Sequence, residues 1–183
     1  MNSAPQRAGG TTLLLTGLPG AGKTTLARAL TKRIQADQRR EVSLLDGDEV
    51  RRLLSSELGY SREHRRLNVL RHAYLAAELC RHGAVVICAL IAPYAADRQE
   101  MRRMASAHGR FIEVYLSAPL AVCEHRDPKG LYARARAGTL AHMTGVDDPY
   151  ETPRQPELIL DTSQLTVDEC ADRVIAYLGN IAG

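Results

Sequence analysis

Residues Gly17-Leu18-Pro19-Gly20-Ala21-Gly22-Lys23-Thr24 satisfy the spacing G-x-x-x-x-G-K-[ST], and no other feature constrains the fold of this chain as strongly. The octapeptide follows the apolar run Thr12–Thr16 and opens a helical pattern over Lys23–Ala36, the context that a phosphate-binding loop requires. Its glycines let the backbone curl until successive N–H groups point at one centre. The N-terminus of the following helix adds partial positive charge there. The lysine then reaches the β/γ-phosphates of a nucleoside triphosphate and the threonine hydroxyl holds Mg²⁺. Gly17 to Thr24, with Thr25 beside them, are the candidate ATP-binding residues, Lys23 a candidate catalytic residue and Thr24 the candidate metal ligand.

Short apolar runs alternate with longer helical patterns along the rest of the chain, which indicates βαβ units and an α/β fold. The expected strands are Thr12–Thr16, Val42–Leu45, Ala84–Ile91, Phe111–Leu116 and Leu158–Leu160. Their apolar residues are nearly continuous, as in parallel strands buried on both faces. Helices are expected at Lys23–Ala36, Asp48–Leu58, Glu63–His82, Asp97–Ala107, Leu120–Glu124 and Val167–Leu178. The predicted architecture is a three-layer fold with a central five-stranded parallel sheet flanked by helices. At 183 residues the chain fits a single domain, read as residues 11–183 after a flexible leader at 1–10. Residues 126–156 interrupt the alternation with glycine and proline, and a connection this long reads as a mobile lid. Leu131, Tyr132, Leu140 and Tyr150 predict that this segment is partly packed.

A net charge of +3 and a pI near 8.8 are too mild for a nucleic-acid partner and leave anionic small molecules as ligands. No run approaches the ~20 apolar residues of a membrane span. Cys80, Cys88, Cys123 and Cys170 form no C-x-x-C pair, which predicts reduced, buried thiols and a cytoplasmic protein.

The second strand runs into Asp46-Gly47-Asp48, and carboxylates leaving the C-terminal end of such a strand face the ligand crevice of an open α/β sheet. One of them is placed to lie near Mg²⁺ or an attacking hydroxyl, while Asp48 also suits the N-cap of the next helix. No guanine-reading N-K-x-D occurs, so a GTPase is disfavoured. Basic residues cluster at Arg51, Arg52, Arg62, Arg65, Arg66 and Arg71 and again at Arg126, Lys129, Arg134 and Arg136. A kinase with an anionic acceptor needs two such sets, one for the acceptor and one for the transferring phosphoryl group.

Beyond the phosphate-binding loop, the blocks Leu45-Asp46-Gly47-Asp48-Glu49-Val50-Arg51, Leu58-Gly59-Tyr60-Ser61-Arg62-Glu63-His64-Arg65, Ile91-Ala92-Pro93-Tyr94, Arg126-Asp127-Pro128-Lys129-Gly130-Leu131-Tyr132 and Thr144-Gly145-Val146-Asp147-Asp148-Pro149-Tyr150-Glu151 give the chain a resemblance to the adenylylsulfate kinase family. The resemblance runs from about Thr11 to Leu178. It implies ATP and adenylylsulfate as substrates, ADP and 3′-phosphoadenylylsulfate as products, Mg²⁺ as cofactor and a homodimer. It also implies an acceptor site made of Asp48, Arg51, Tyr60, Arg65, Asn68, Ile91, Ala92, Lys129 and Met143. Asp46 would then orient or deprotonate the ribose 3′-hydroxyl, Lys129 would close on the reacting phosphates, and Arg126 would approach ATP.

Four positions depart from the family pattern. Ala92 stands where many members carry a serine that can be phosphorylated in some of them, so direct transfer is expected. His64 replaces a usual aspartate, and Tyr60 and Met143 stand where a pair of phenylalanines often sandwiches the acceptor adenine. A related kinase acting on another anionic, hydroxyl-bearing acceptor and a catalytically inactive nucleotide-binding regulator are the alternatives.

Overall fold

Leu13, Leu14 and Leu15 are each fully buried, which a strand permits only when both of its faces are covered. In the computed structural model, which describes residues 9–37 and 40–180, they lie in β1 (Gly10–Thr16), the central strand of a parallel sheet. Leu13 and Leu15 join the core beneath α1 (Lys23–Asp37), and Leu14 joins the core on the opposite face. The remaining elements follow in the order β2 (Val42–Asp46), α2 (Gly47–Leu54), α3 (Arg62–Arg81), β3 (Val85–Ala89), α4 (Ala95–Ser106), β4 (Gly109–Leu116), α5 (Leu120–Arg126), α6 (Leu131–Arg136), β5 (Leu158–Leu160) and α7 (Val167–Asn180). The strand order is β2-β3-β1-β4-β5, with every pairing parallel. Apolar residues of α1 and α7 pack in one core with α5 and α6, while α3 and α4 cover the other face. This is the five-stranded, three-layer fold expected from the alternation.

The differences from expectation have local causes. Of the expected leader, residues 1–8 lie outside the described residues, and β1 already begins at Gly10. Helix α2 stops at Leu54 instead of Leu58. The Leu54 carbonyl, which would have accepted from Leu58 in a longer helix, accepts from Arg71, and the Leu58 N–H turns to Ser55 O at 3.0 Å; beyond this turn Arg51 holds the Leu58 and Gly59 carbonyls at 3.1 Å each. The expected lid contains α6, which the sequence reading missed. Asp127 caps it, accepting from the N–H groups of Leu131 (2.8 Å), Tyr132 (3.2 Å) and Ala133 (3.0 Å), the donors a first helical turn leaves free. These bonds, that from Ala133 foremost, hold the Asp127 carboxyl below the usual carboxylate range. The expected packing of this segment is present at Tyr132, which is buried, and at the partly buried Leu131 and Leu140.

The four cysteines are buried and form no disulfide. Among the described residues no helix is long and apolar enough to cross a membrane.

At Gly10 the C-terminal end of α3 passes directly over β1. A Cβ there would lie 2.4 Å from the Cys80 carbonyl oxygen and 2.8 Å from that of Ala84, both backbone atoms that cannot turn aside. Gly10→Ala is therefore expected to lower the melting temperature by about 5 °C or more, at roughly 2–4 °C per kcal/mol for a domain of this size. A thermal melt within 1–2 °C of wild type, on about the same scale, would show that β1 and α3 approach less closely than this.

Candidate active site

The loop between β1 and α1 turns through Gly20 (φ 79°) and Gly22 (φ 93°), left-handed positions that admit glycine without a Cβ clash. Inside the turn, Lys23 Nζ donates to the carbonyl oxygens of Gly17 (2.9 Å) and Leu18 (2.8 Å). Burial is the main reason its pKa is lowered, to about 8, with the Lys129 charge acting in the same direction. The next residue, Thr24, donates through Oγ1 to Asp46 Oδ2 at 2.8 Å. Asp46 ends β2, and its other oxygen accepts from the Asp48 N–H at 3.0 Å, so Asp46 caps α2 and Asp48 is left free of that duty. A hydroxyl and a carboxylate, both hard oxygen donors suited to Mg²⁺, therefore meet beside the phosphate-binding turn.

These groups open into one cavity of about 1300 Å³ at the C-terminal ends of the strands, the place where open α/β sheets bind ligands. Its walls bring together Pro19, Gly20, Gly22, Lys23, Thr24, Thr25, Asp46 and Arg126 with all nine expected acceptor residues: Asp48, Arg51, Tyr60, Arg65, Asn68, Ile91, Ala92, Lys129 and Met143. Gly17, Leu18 and Ala21 stand behind the wall and serve the loop through their backbones. Arg65 is 7% exposed. It donates from Nε to the Tyr60 carbonyl (2.9 Å) and from its terminal nitrogen to the His142 carbonyl, and it lies 3.8 Å from Asp148. Burial lowers its pKa, opposed by the Asp148 carboxylate. The guanidinium carbons of Arg51 and Arg65 sit 4.8 and 5.5 Å from the Tyr60 ring centroid, which leaves a cationic and aromatic surface at this end. Tyr60 is half exposed while Met143 is buried. Lys129 pairs with Asp48 across the opening, both more than half exposed.

Arg126 reaches back to the phosphate-binding loop, donating to Gly20 O (3.4 Å) and to Thr162 O (2.6 Å). Thr162 in turn donates to Ala21 O at 3.0 Å. The segment after β5 thus forms a further wall, with Thr162, Leu165, Thr166, Val167 and Cys170 lining the cavity. None of these was anticipated. The signal was available, because the rule that drew attention to Asp46 at the end of β2 applies equally to the residues leaving β5. Tyr132 was expected only to pack, yet its hydroxyl donates to Pro19 O at 3.0 Å and ties α6 to the loop.

Residues 9–161 match the sequence profile of the family described as adenylylsulphate kinase. The chain belongs to the adenylylsulphate kinase family. Within the family, an adenylyl-sulfate kinase of Synechococcus (strain JA-3-3Ab) is 50% identical over 169 residues, which cover 92% of this chain and 94% of that protein. An APS kinase of Mycobacterium tuberculosis, solved in complex with AMPPNP and APS, is 39% identical, with a TM-score of 0.90 over 94% of this chain and 99% of that one. A hexameric APS kinase from Thiobacillus denitrificans is 40% identical, with a TM-score of 0.74 over 96% of this chain and 30% of that one.

The lowered pKa of Lys23 makes a prediction for ligand binding to this adenylylsulphate kinase family member. Above pH 8 the free protein holds Lys23 largely neutral, and the negative charge of a bound polyphosphate raises its pKa again. Nucleotide binding at pH 8.5 should take up a fraction of a proton, and affinity should fall as pH rises from about 8 to 10. Calorimetry in two buffers of different ionisation enthalpy reads the uptake directly. It should vanish in Lys23→Met, and zero uptake by the wild type would contradict the assignment.

Proposed function

We propose that the chain transfers the γ-phosphoryl group of ATP to the ribose 3′-hydroxyl of adenylylsulfate, giving ADP and 3′-phosphoadenylylsulfate. The observation that carries this reading is that one cavity joins a phosphate-binding turn at Lys23 and Thr24 to a wall of Tyr60, Arg51 and Arg65, with Asp46 between them. The donor's phosphates would lie in the turn, and the segment after β5 would bound the rest of the nucleotide. The acceptor would lie against Tyr60 and Met143, its phosphosulfate facing the arginines.

In this arrangement Asp46 accepts the proton of the 3′-hydroxyl as its oxygen bonds to the γ-phosphorus. The bond from that phosphorus to the β–γ bridging oxygen breaks, and ADP leaves. Lys23 and Lys129 offset the charge that spreads over the transferring oxygens. Thr24 with Asp46 fits Mg²⁺, which when bound neutralises β- and γ-phosphate charge. Ala92 carries no hydroxyl, so transfer is direct at this position.

Cytoplasmic location is in keeping with the four buried thiols. Self-association as a homodimer is part of the same reading. Leu54 and Tyr74, 52% and 59% exposed, flank a shallow groove with Leu70 and Leu75 on α2 and α3 and offer an apolar surface to a second copy. A double change of Leu54 and Tyr74 to Glu should shift the sedimenting species to monomer, and an unaltered dimer would remove this face from the proposal.

Purified protein with MgATP and adenylylsulfate should produce ADP and 3′-phosphoadenylylsulfate in equal amounts. Lys23→Ala should retain less than about a tenth of kcat. Tyr60→Ala should raise the KM for adenylylsulfate about ten- to a hundredfold with the KM for ATP nearly unchanged, the loss expected for one stacking contact. Met143 and His64 motivate one other reading, a different anionic acceptor. A kcat/KM for another hydroxyl-bearing anion well above that for adenylylsulfate would favour it.

A further inference from the structure

Among the described residues two non-glycine residues have φ in the left-handed range, Ala92 at 43° and His142 at 60°, and both line the cavity. Ala92 is the more constrained. A left-handed L-residue crowds its Cβ against the following carbonyl, and a residue that precedes proline, as Ala92 precedes Pro93, is pushed toward extended conformations. Such a conformation persists only where its surroundings over-determine it.

The surroundings here converge on one side chain. Arg98, 3% exposed in α4, donates from one terminal nitrogen to the Ala92 carbonyl at 2.8 Å and from the other to the Glu151 carbonyl at 2.7 Å. Its Nε lies 2.8 Å from Glu113 Oε1 on β4, an ion pair without a directed hydrogen bond, so the two carbonyl bonds set the guanidinium's orientation and Glu113 balances its charge. Glu151 closes the ring, since its N–H donates to Pro93 O (2.9 Å) and its carboxylate accepts from the Ala95 N–H (2.7 Å). One residue earlier, the Ile91 carbonyl accepts from Thr16 Oγ1 at 2.5 Å, and Thr16 shares a hydrogen bond with the Tyr150 hydroxyl at 2.9 Å. The shelf Ile91–Ala92 is thus gripped from behind while its front faces the cavity. Arg98 itself does not line the cavity.

We propose that Arg98 is a positioning residue for the acceptor: it holds Ala92 in its left-handed conformation and so fixes the shelf against which the acceptor nucleoside lies. The inference rests on the acceptor site proposed above. A planar fork holds its donors in fixed, separated directions toward the two carbonyls, a geometry that the three donors on one ammonium nitrogen do not reproduce.

The test is steady-state kinetics of Arg98→Lys, Ala92→Gly and the double variant, with melting temperatures for each. Arg98→Lys keeps a charge for Glu113 but loses the fork. It should raise the KM for adenylylsulfate about tenfold and leave the KM for MgATP within about twofold, because only the acceptor touches the shelf. Adding Ala92→Gly should return the KM for adenylylsulfate to within about threefold of wild type, since glycine holds a positive φ without a Cβ conflict. A role confined to stability would lower the melting temperature without separating the two KM values, and glycine would rescue nothing. An unchanged KM for adenylylsulfate, a parallel rise in both KM values or a failed rescue overturns the proposal. Should Arg98→Lys not fold, Glu113→Gln replaces it, because it removes the charge that faces the guanidinium and is expected to move the same KM. A wild-type protein that does not phosphorylate adenylylsulfate overturns the acceptor reading instead, so the two failures are distinguishable.

Discussion

Strand β1 is hydrogen-bonded along both edges and covered on both faces, and every other part of the site takes its position from that confinement. Thr11 to Thr16 are at most 2% exposed, so the loop that leaves the strand starts from a fixed point. At that point Lys23 is turned inward onto two carbonyls, Thr24 meets Asp46 at the end of β2, and Thr16 holds the end of β3 through Ile91. Three strand ends are thus tied together beside one cavity.

Arginines then fasten the connections. Arg51 grips Leu58 and Gly59, Arg65 grips Tyr60 and His142, Arg98 grips Ala92 and Glu151, and Arg126 grips Gly20 and Thr162, each through backbone carbonyls. A guanidinium has five donors and no acceptor, so it can satisfy loop carbonyls that lack a helix or sheet partner and still keep its charge for an anion. Arg51, Arg65 and Arg126 therefore both hold the walls and make them cationic, while Arg98 holds its part of the wall from behind. The acid that balances them is also local: Asp148 faces Arg65, and Glu113 and Glu157 face Arg98 and Arg102.

What was legible in the sequence follows from this division. The strands, the phosphate-binding turn and Asp46 were readable because apolar runs and a fixed glycine spacing report backbone requirements directly. The early end of α2 was not, because Leu54–Leu58 has no breaker, and only the distant Arg71 takes the Leu54 carbonyl that a longer helix would have used. Helix α6 was hidden because its cap, Asp127, precedes Pro128 and Gly130, residues that normally punctuate loops. The two basic clusters were visible as composition, but Arg98 lay outside both, and nothing local distinguishes a buried positioning arginine from a solvated one. The cavity wall after β5 was missed because a three-residue strand gave it little weight.

Under the proposed function, donor and acceptor would meet over Asp46 in a single cavity. A crystal structure with ADP, Mg²⁺ and adenylylsulfate bound tests it most directly. The acceptor adenine should lie between Tyr60 and Met143, with its ribose 3′-oxygen about 3 Å from the Asp46 carboxylate, on the side of the phosphate-binding turn. Adenylylsulfate bound elsewhere, or bound here with its 3′-oxygen turned away from Asp46 while ADP fills the turn, would contradict it.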